Sequence, residues 1–178
     1  MRYLICLLLT ASGLCLHAGE VRVTVREDGK GLFLQEQFEV AAPLEKVWEF
    51  YTTSAGWRAW IAPVVEVDFR VGGTIKTHFD PQGKIGDPNT ITLRIINYVP
   101  RRLITLQSEP NERMRAVSQQ EQKDIFNVIE FEAIDGKRTR VTSHGIGYRD
   151  LPGHREVLEY FKRAGGAHYQ KLIKALEK

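Results

Sequence analysis

Most of the elements this sequence predicts are strands with one apolar face, and one long helix is available to cover them. The helix closes the sequence, from about Gly153 or His154 to Leu176. Along it Leu158, Phe161, Gly165, His168, Leu172 and Leu176 recur at three- and four-residue steps. Ahead of it, Val64 to Val71 carries Val65, Val67, Phe69 and Val71 on one face, and Thr90 to Val99 carries Ile91, Leu93 and Ile95. Ile125 to Ala133 carries Ile125, Ile129 and Phe131. Val21 to Val25, Leu32 to Val40, Thr74 to Phe79, Leu103 to Gln107 and Thr139 to Tyr148 also read as strand segments, with Gly72-Gly73 and Asp135-Gly136 as hairpin turns. Asp80 to Asn89 is a loop rich in turn formers.

A sheet with one apolar face needs a cover, and the terminal helix is the only element long enough to supply it. The expectation is therefore an α+β fold: a curved antiparallel sheet of about six to seven strands wrapped around a long C-terminal helix. A shorter helix opens at Pro43, with Leu44, Val47, Trp48 and Tyr51 at helical spacing and Gly56 at its exit. Trp57 and Trp60 follow in a connecting segment. The polar stretch Ser108 to Asp124 reads as a lid over the interior or a surface loop, with a helical turn near Arg113 to Gln119.

The first 18 residues stand apart. Arg2 supplies a positive start, Leu4 to Leu16 an uncharged apolar run, and Ala18 a small residue before Gly19. This pattern predicts a secretory signal peptide over 1–18 and one domain over 19–178. A membrane span needs roughly 20 apolar residues, so no stable membrane insertion is expected after cleavage. Leu14 before Cys15 does not fit a lipoprotein. Both cysteines, Cys6 and Cys15, lie in this segment. The remainder then has no thiol chemistry and no disulfide. The protein is expected outside the cytosol, periplasmic or secreted.

Charge and composition remove further classes. Charged residues are 26%, hydrophobic residues 43% and aromatics 10% of the 178 residues, which excludes collagen-like, coiled-coil and disordered chains. The formal charge is +3, one unit of it from Arg2. Acidic and basic residues are interspersed, so there is no nucleic-acid footprint.

Several stretches resemble one family. Ala42-Pro43-Leu44-Glu45-Lys46-Val47-Trp48 is similar to the start of the first helix in the helix-grip superfamily (SRPBCC), which includes START and Bet v-like domains. Trp57 to Trp60, Asp68-Phe69-Arg70-Val71-Gly72-Gly73, and Thr139-Arg140-Val141-Thr142 leading to Gly145-Ile146-Gly147-Tyr148 resemble the branch related to the activator of the heat-shock 90 ATPase. Tyr160-Phe161 and Leu172 to Leu176 fit the same branch. The resemblance spans about Phe33 to Leu176 and implies a helix-grip fold with a cavity between sheet and terminal helix.

Polar residues on inward faces mark where such a cavity would be lined. Thr77 lies in phase with Ile75 and Phe79, Asn127 with Ile125 and Ile129, and Ser143 with Val141. Phe161 and His168 face inward from the helix, and Trp57 with Trp60 stands at a mouth or caps the core. These eight, Phe79 included, are the expected ligand-binding residues, and a small apolar molecule is the expected partner. His168 is alternatively a satisfied core histidine. His78 shares a face with Lys76 and His144 with Arg140, faces that read as solvated, and no His-x-x-x-His occurs. No metal site and no cofactor are expected. Glu66, Asp68 and Glu130 read as solvated carboxylates. No nucleophile motif or phosphate loop is present, which leaves His168 as the only acid–base candidate and no catalytic residue to name.

Three functions follow. The first is an exported binding protein for a small, mostly apolar ligand. The second, implied by the resemblance, is a regulator of the cytosolic chaperone ATPase, which the export signal opposes. The third is an enzyme acting within the cavity.

Overall fold

The computed structural model describes residues 19–178, apart from Asp28 and Lys30. The predicted signal peptide thus lies outside the described residues, as does part of the turn after the first strand.

Eight strands form one sheet rather than six or seven. The strands are β1 (Arg22–Glu27), β2 (Leu32–Val40), β3 (Val64–Val67), β4 (Thr74–His78), β5 (Ile91–Val99), β6 (Leu103–Ser108), β7 (Phe126–Ala133) and β8 (Thr139–Tyr148). Their order is β1-β2-β8-β7-β6-β5-β4-β3, every neighbour antiparallel. Strands β3 to β8 form a meander. The pairing of β2 with β8 then joins the two ends of the chain, with Phe38 opposite Val141 and Glu36 opposite Ser143. The third strand stops at Val67, and Val71 is 60% exposed in the turn that follows, not on the apolar face.

Two helices bridge β2 to β3 at the far edge. Helix α1 (Leu44–Thr52) begins after Pro43, whose fixed φ suits a helix start. Gly56 does not end it. A second helix, α2 (Ser54–Arg58), starts one residue later, where the Thr53 hydroxyl accepts from the Gly56 N–H at 3.0 Å. The polar stretch 108–124 is neither a free loop nor one helical turn. It holds a 3-10 turn (Glu112–Met114) and a short α3 (Gln119–Gln122), and it buries Met114, Val117 and Gln122. Helix α4 (Pro152–Leu176) has 25 residues and runs about 37 Å. The Lys46 ammonium donates to the Leu176 carbonyl at 2.7 Å, tying its last turn to α1.

The outer face of the sheet is polar. There Arg140 bridges Glu39 at 2.8 Å and Glu132 at 2.6 Å. Glu66 and Glu130 are solvated on that face as expected. His78 departs from its expected exposure: it is buried, and its Nδ1 accepts from the Asp80 N–H at 3.2 Å where the chain turns back over it.

The apolar interior is divided in two. The larger cluster holds Phe38, Val47, Tyr51, Trp57, Trp60, Ile75, Ile129, Val141, Tyr169 and Leu172. The smaller holds Leu32, Leu34, Met114, Ile125, Tyr148, Val157 and Leu158. Strands β2 and β8, helix α4, and β7 with the Ile125 before it contribute to both clusters, and each changes cluster at a polar or small residue. On β2 it is Glu36, between Leu34 and Phe38. On β7 it is Asn127, two residues before Ile129, and on β8 it is Ser143 and Gly145. On α4 it is Gly165, between Leu158 and Tyr169. A polar belt thus crosses the interior from strand to strand, with Glu36 opposite Ser143 and Asn127 opposite Gly145.

Candidate functional site

A cavity of about 240 Å3 occupies this belt. The side chains named from the sequence converge on it. Thr77 and Phe79 line it from β4 and its exit, Asn127 from β7 and Ser143 from β8. Phe161 and His168 line it from α4, and Trp57 and Trp60 from α2 and its exit. The two tryptophans are also core residues, each about 5% exposed or less. The Trp57 Nε1–H donates to the Tyr51 carbonyl at 2.8 Å, and the Trp60 ring stacks on Tyr169 at 5.9 Å. They support the wall and form it at once.

His168 is half-buried on the wall, not sealed in the core. Its ring centroid lies 6.5 Å from that of Phe79, and the Arg113 guanidinium sits 4.1 Å over the same Phe79 ring. Burial first, then the charges of Lys171 and Arg113, lower the His168 pKa. These residues mark the solvent end, where Phe79 is 36% exposed. Asn111, Arg113 and Met114 bring the 108–124 segment onto the wall. It is held there by Gln122, whose Nε2 donates to the Met114 and Val117 carbonyls at 3.1 and 2.8 Å, while its Oε1 accepts from the Asn111 N–H at 3.1 Å. This gives the segment a wall-forming role that its polar composition did not reveal.

The inner end is polar and aromatic. Ser143 Oγ donates to Asn127 Oδ1 at 2.9 Å; burial raises the Tyr169 pKa, and the neighbouring Ser143 and Asn127 side chains partly offset that rise. The inward serine and asparagine are therefore paired with each other. What the sequence reading missed is Glu36. It is 6% exposed, its Oε1 has no hydrogen-bond partner, and burial pushes its carboxyl up to about 8 from an ordinary 4.5. Its charge when ionised would in turn raise the pKa of Tyr51, Tyr148 and Tyr169, which burial already raises. The signal was in the alternation: Glu36 is in phase with Leu32, Leu34, Phe38 and Val40, all buried. His168 is thus not the only acid–base group in the cavity.

Gly165 makes the space for that carboxylate. A Cβ built on it would lie 1.8 Å from Glu36 Oε1. Glycine inside a helix costs about 1 kcal/mol relative to alanine, and here the cost opens a notch in α4 opposite the acid. Two further buried polar atoms on the same wall lack partners, the Tyr51 hydroxyl and Trp60 Nε1. Among the described residues no group of three or more His, Cys, Asp or Glu converges to hold a metal ion. No helix among them is long and apolar enough to cross a membrane.

Known structures with this architecture place the chain. The Aha1 dimer of Colwellia psychrerythraea, solved in solution, is 16% identical with a TM-score of 0.66, covering 82% of this chain and 96% of that one. A Nitrosomonas europaea protein is 20% identical with a TM-score of 0.61, covering 85% and 97%. A Mycobacterium smegmatis protein is 24% identical with a TM-score of 0.59, covering 84% and 94%. At such identities the likeness is one of fold. Among curated proteins no significant match is found. The family model described as activator of Hsp90 ATPase homolog 1-like protein matches residues 41–177. With the eight-stranded sheet, the closing helix and the interior cavity, that match shows that the chain belongs to this family, within the helix-grip (SRPBCC) superfamily.

Proposed function

We propose that the protein is an exported binding protein for a small, mostly apolar molecule held between the sheet and α4. The observation that supports this most is the divided core. A belt of Glu36, Asn127, Ser143, Gly145 and Gly165 runs through an interior that apolar residues at the same positions would have closed. Folding alone does not favour it, since a buried unpaired carboxyl and a mid-helix glycine both cost stability. The aromatic walls supply apolar contact, and the belt supplies a few polar groups to orient a ligand, the usual make-up of a small-molecule pocket. By volume, scaled from a cavity of about 150 Å3 that accepts benzene, the occupant has roughly ten non-hydrogen atoms.

The test is native mass spectrometry of the protein purified from its own host, followed by extraction. A small organic molecule at stoichiometric amount, lost from a variant with the belt filled by Ser143→Leu, is the expected result. A protein that stays empty and unchanged in stability across apolar ligand screens would overturn the reading. The family description also names a chaperone-ATPase activator. That reading requires a cytosolic chain, whereas residues 1–18 carry the features of an export signal.

A further inference from the structure

The buried polar atoms that lack partners state what kind of ligand the cavity takes. Three belong to side chains that line it: Glu36 Oε1, the Tyr51 hydroxyl and Trp60 Nε1. Each belongs to a residue no more than 6% exposed. Their elements differ: Glu36 comes from β2, Tyr51 from α1, and Trp60 from the exit of α2. Tyr51 and Trp60 are neighbours, their ring centroids 5.4 Å apart, and Trp60 stacks on Tyr169. Leaving three such groups buried without a protein partner is costly, and native interiors rarely do so without a reason.

The three atoms are chiefly donors. An indole N–H can only donate, and a phenol O–H donates readily. Burial keeps the Glu36 carboxyl protonated at neutral pH, so it too has a hydrogen to give. One acceptor of the belt is already engaged: Asn127 Oδ1 receives the Ser143 hydroxyl. The charged groups near the cavity, Arg113 and the half-buried His168, are at the Phe79 end. Among the described residues no other cation lines the cavity to pair with an anionic ligand.

We infer that the inner pole of the cavity recognises the carbonyl oxygen of an uncharged, otherwise apolar ligand, through donors on Glu36, Tyr51 and Trp60. A carbonyl oxygen is a pure acceptor whose two lone pairs can take two of these three donors at once. The notch at Gly165 is then the space in which the acid lies against α4 without being displaced by a side chain. The inference deepens the ligand-binding reading and rests on it.

Four probes of one size and shape test it by calorimetry on the protein produced from the full chain: acetophenone, its hydrocarbon isostere α-methylstyrene, benzoate, and α-methylbenzylammonium. Acetophenone is expected to bind at least ~10-fold more tightly than α-methylstyrene, because a site built to hydrogen-bond one group rejects the analogue that lacks it. In Glu36→Leu that preference should shrink by at least ~5-fold while α-methylstyrene binding is kept or improved. Tyr51→Phe, which removes a single oxygen, should shrink it as well and covers the case in which Glu36→Leu fails to fold. The Trp60 indole proton should move downfield with acetophenone and not with α-methylstyrene. Equal binding of ketone and hydrocarbon would overturn the inference and leave an apolar binding cavity standing. Tighter binding of benzoate or of the ammonium probe would overturn it in favour of a charged ligand. Binding of none of the four would overturn it together with the ligand-binding reading.

Discussion

Glu36 is the residue on which the chemistry of the interior turns. Its carboxyl has a pKa of about 8 in the folded protein against an ordinary 4.5. The folded state therefore holds the proton more tightly than the unfolded chain does. The associated stability is complete below pH 4.5 and is lost as pH rises toward 8. Each tenfold difference in proton affinity corresponds to ~1.4 kcal/mol, so the loss across this window amounts to several kcal/mol. Other ionisable groups on the wall are Tyr51, Tyr148, Tyr160 and Tyr169, with His168 and Arg113 at the Phe79 end. His168 and the buried His154 have lowered pKa values and act in the other direction, losing stability as pH falls through 6.5. Comparison with Glu36→Gln cancels them. Thermal unfolding of both proteins from pH 5 to 8.5 should show the variant gaining on the wild type as pH rises. Parallel curves would mean that Glu36 ionises freely.

At the scale of elements, the 108–124 segment shows how a polar sequence becomes a wall. Its glutamines, glutamates and arginines have no apolar period, so pattern alone reads it as loop or lid. Gln122 changes this by serving three backbone groups from one buried amide. Close packing completes the attachment, since a Cβ on Gly153 at the start of α4 would come 2.0 Å from the Ala116 carbonyl oxygen. Replacing Gln122 with Ala leaves two carbonyls and one N–H unserved, at a cost of about 2–3 kcal/mol. Hydrogen exchange should accelerate at Asn111 and through 112–122 in this variant, while the β7 and β8 amides remain protected. Uniform acceleration over the whole sheet would show instead that the segment and the sheet unfold as one unit.

Over the whole molecule, the division of the core and the fate of the N-terminal segment are the two large-scale features. We expect the protein recovered from its host to begin at Gly19, as N-terminal sequencing would show. A retained Met1 would return the chaperone-regulator reading to first place. The architecture was readable because alternation in the strands and a 3.6-residue period in α4 are local properties, and a one-faced sheet has few ways to be covered. The eight-strand count was less so: β1 and β2 pair with each other, but they join the rest of the sheet only when β8 returns beside β2. Thr77, Asn127 and Ser143 could be named because each interrupts an apolar face at a known phase. Glu36 obeys the same rule, yet a glutamate is so rarely buried alone that its type argued against its phase. Phase, period and the families of residues at turns are written along the chain. Whether five interruptions on four elements line up across the interior, leaving an acid opposite a glycine and a cavity between two clusters, depends on register and helix rotation. Those are set by contacts between residues more than 100 positions apart, such as Glu36 with Ser143, and so emerge only when the sheet closes on α4.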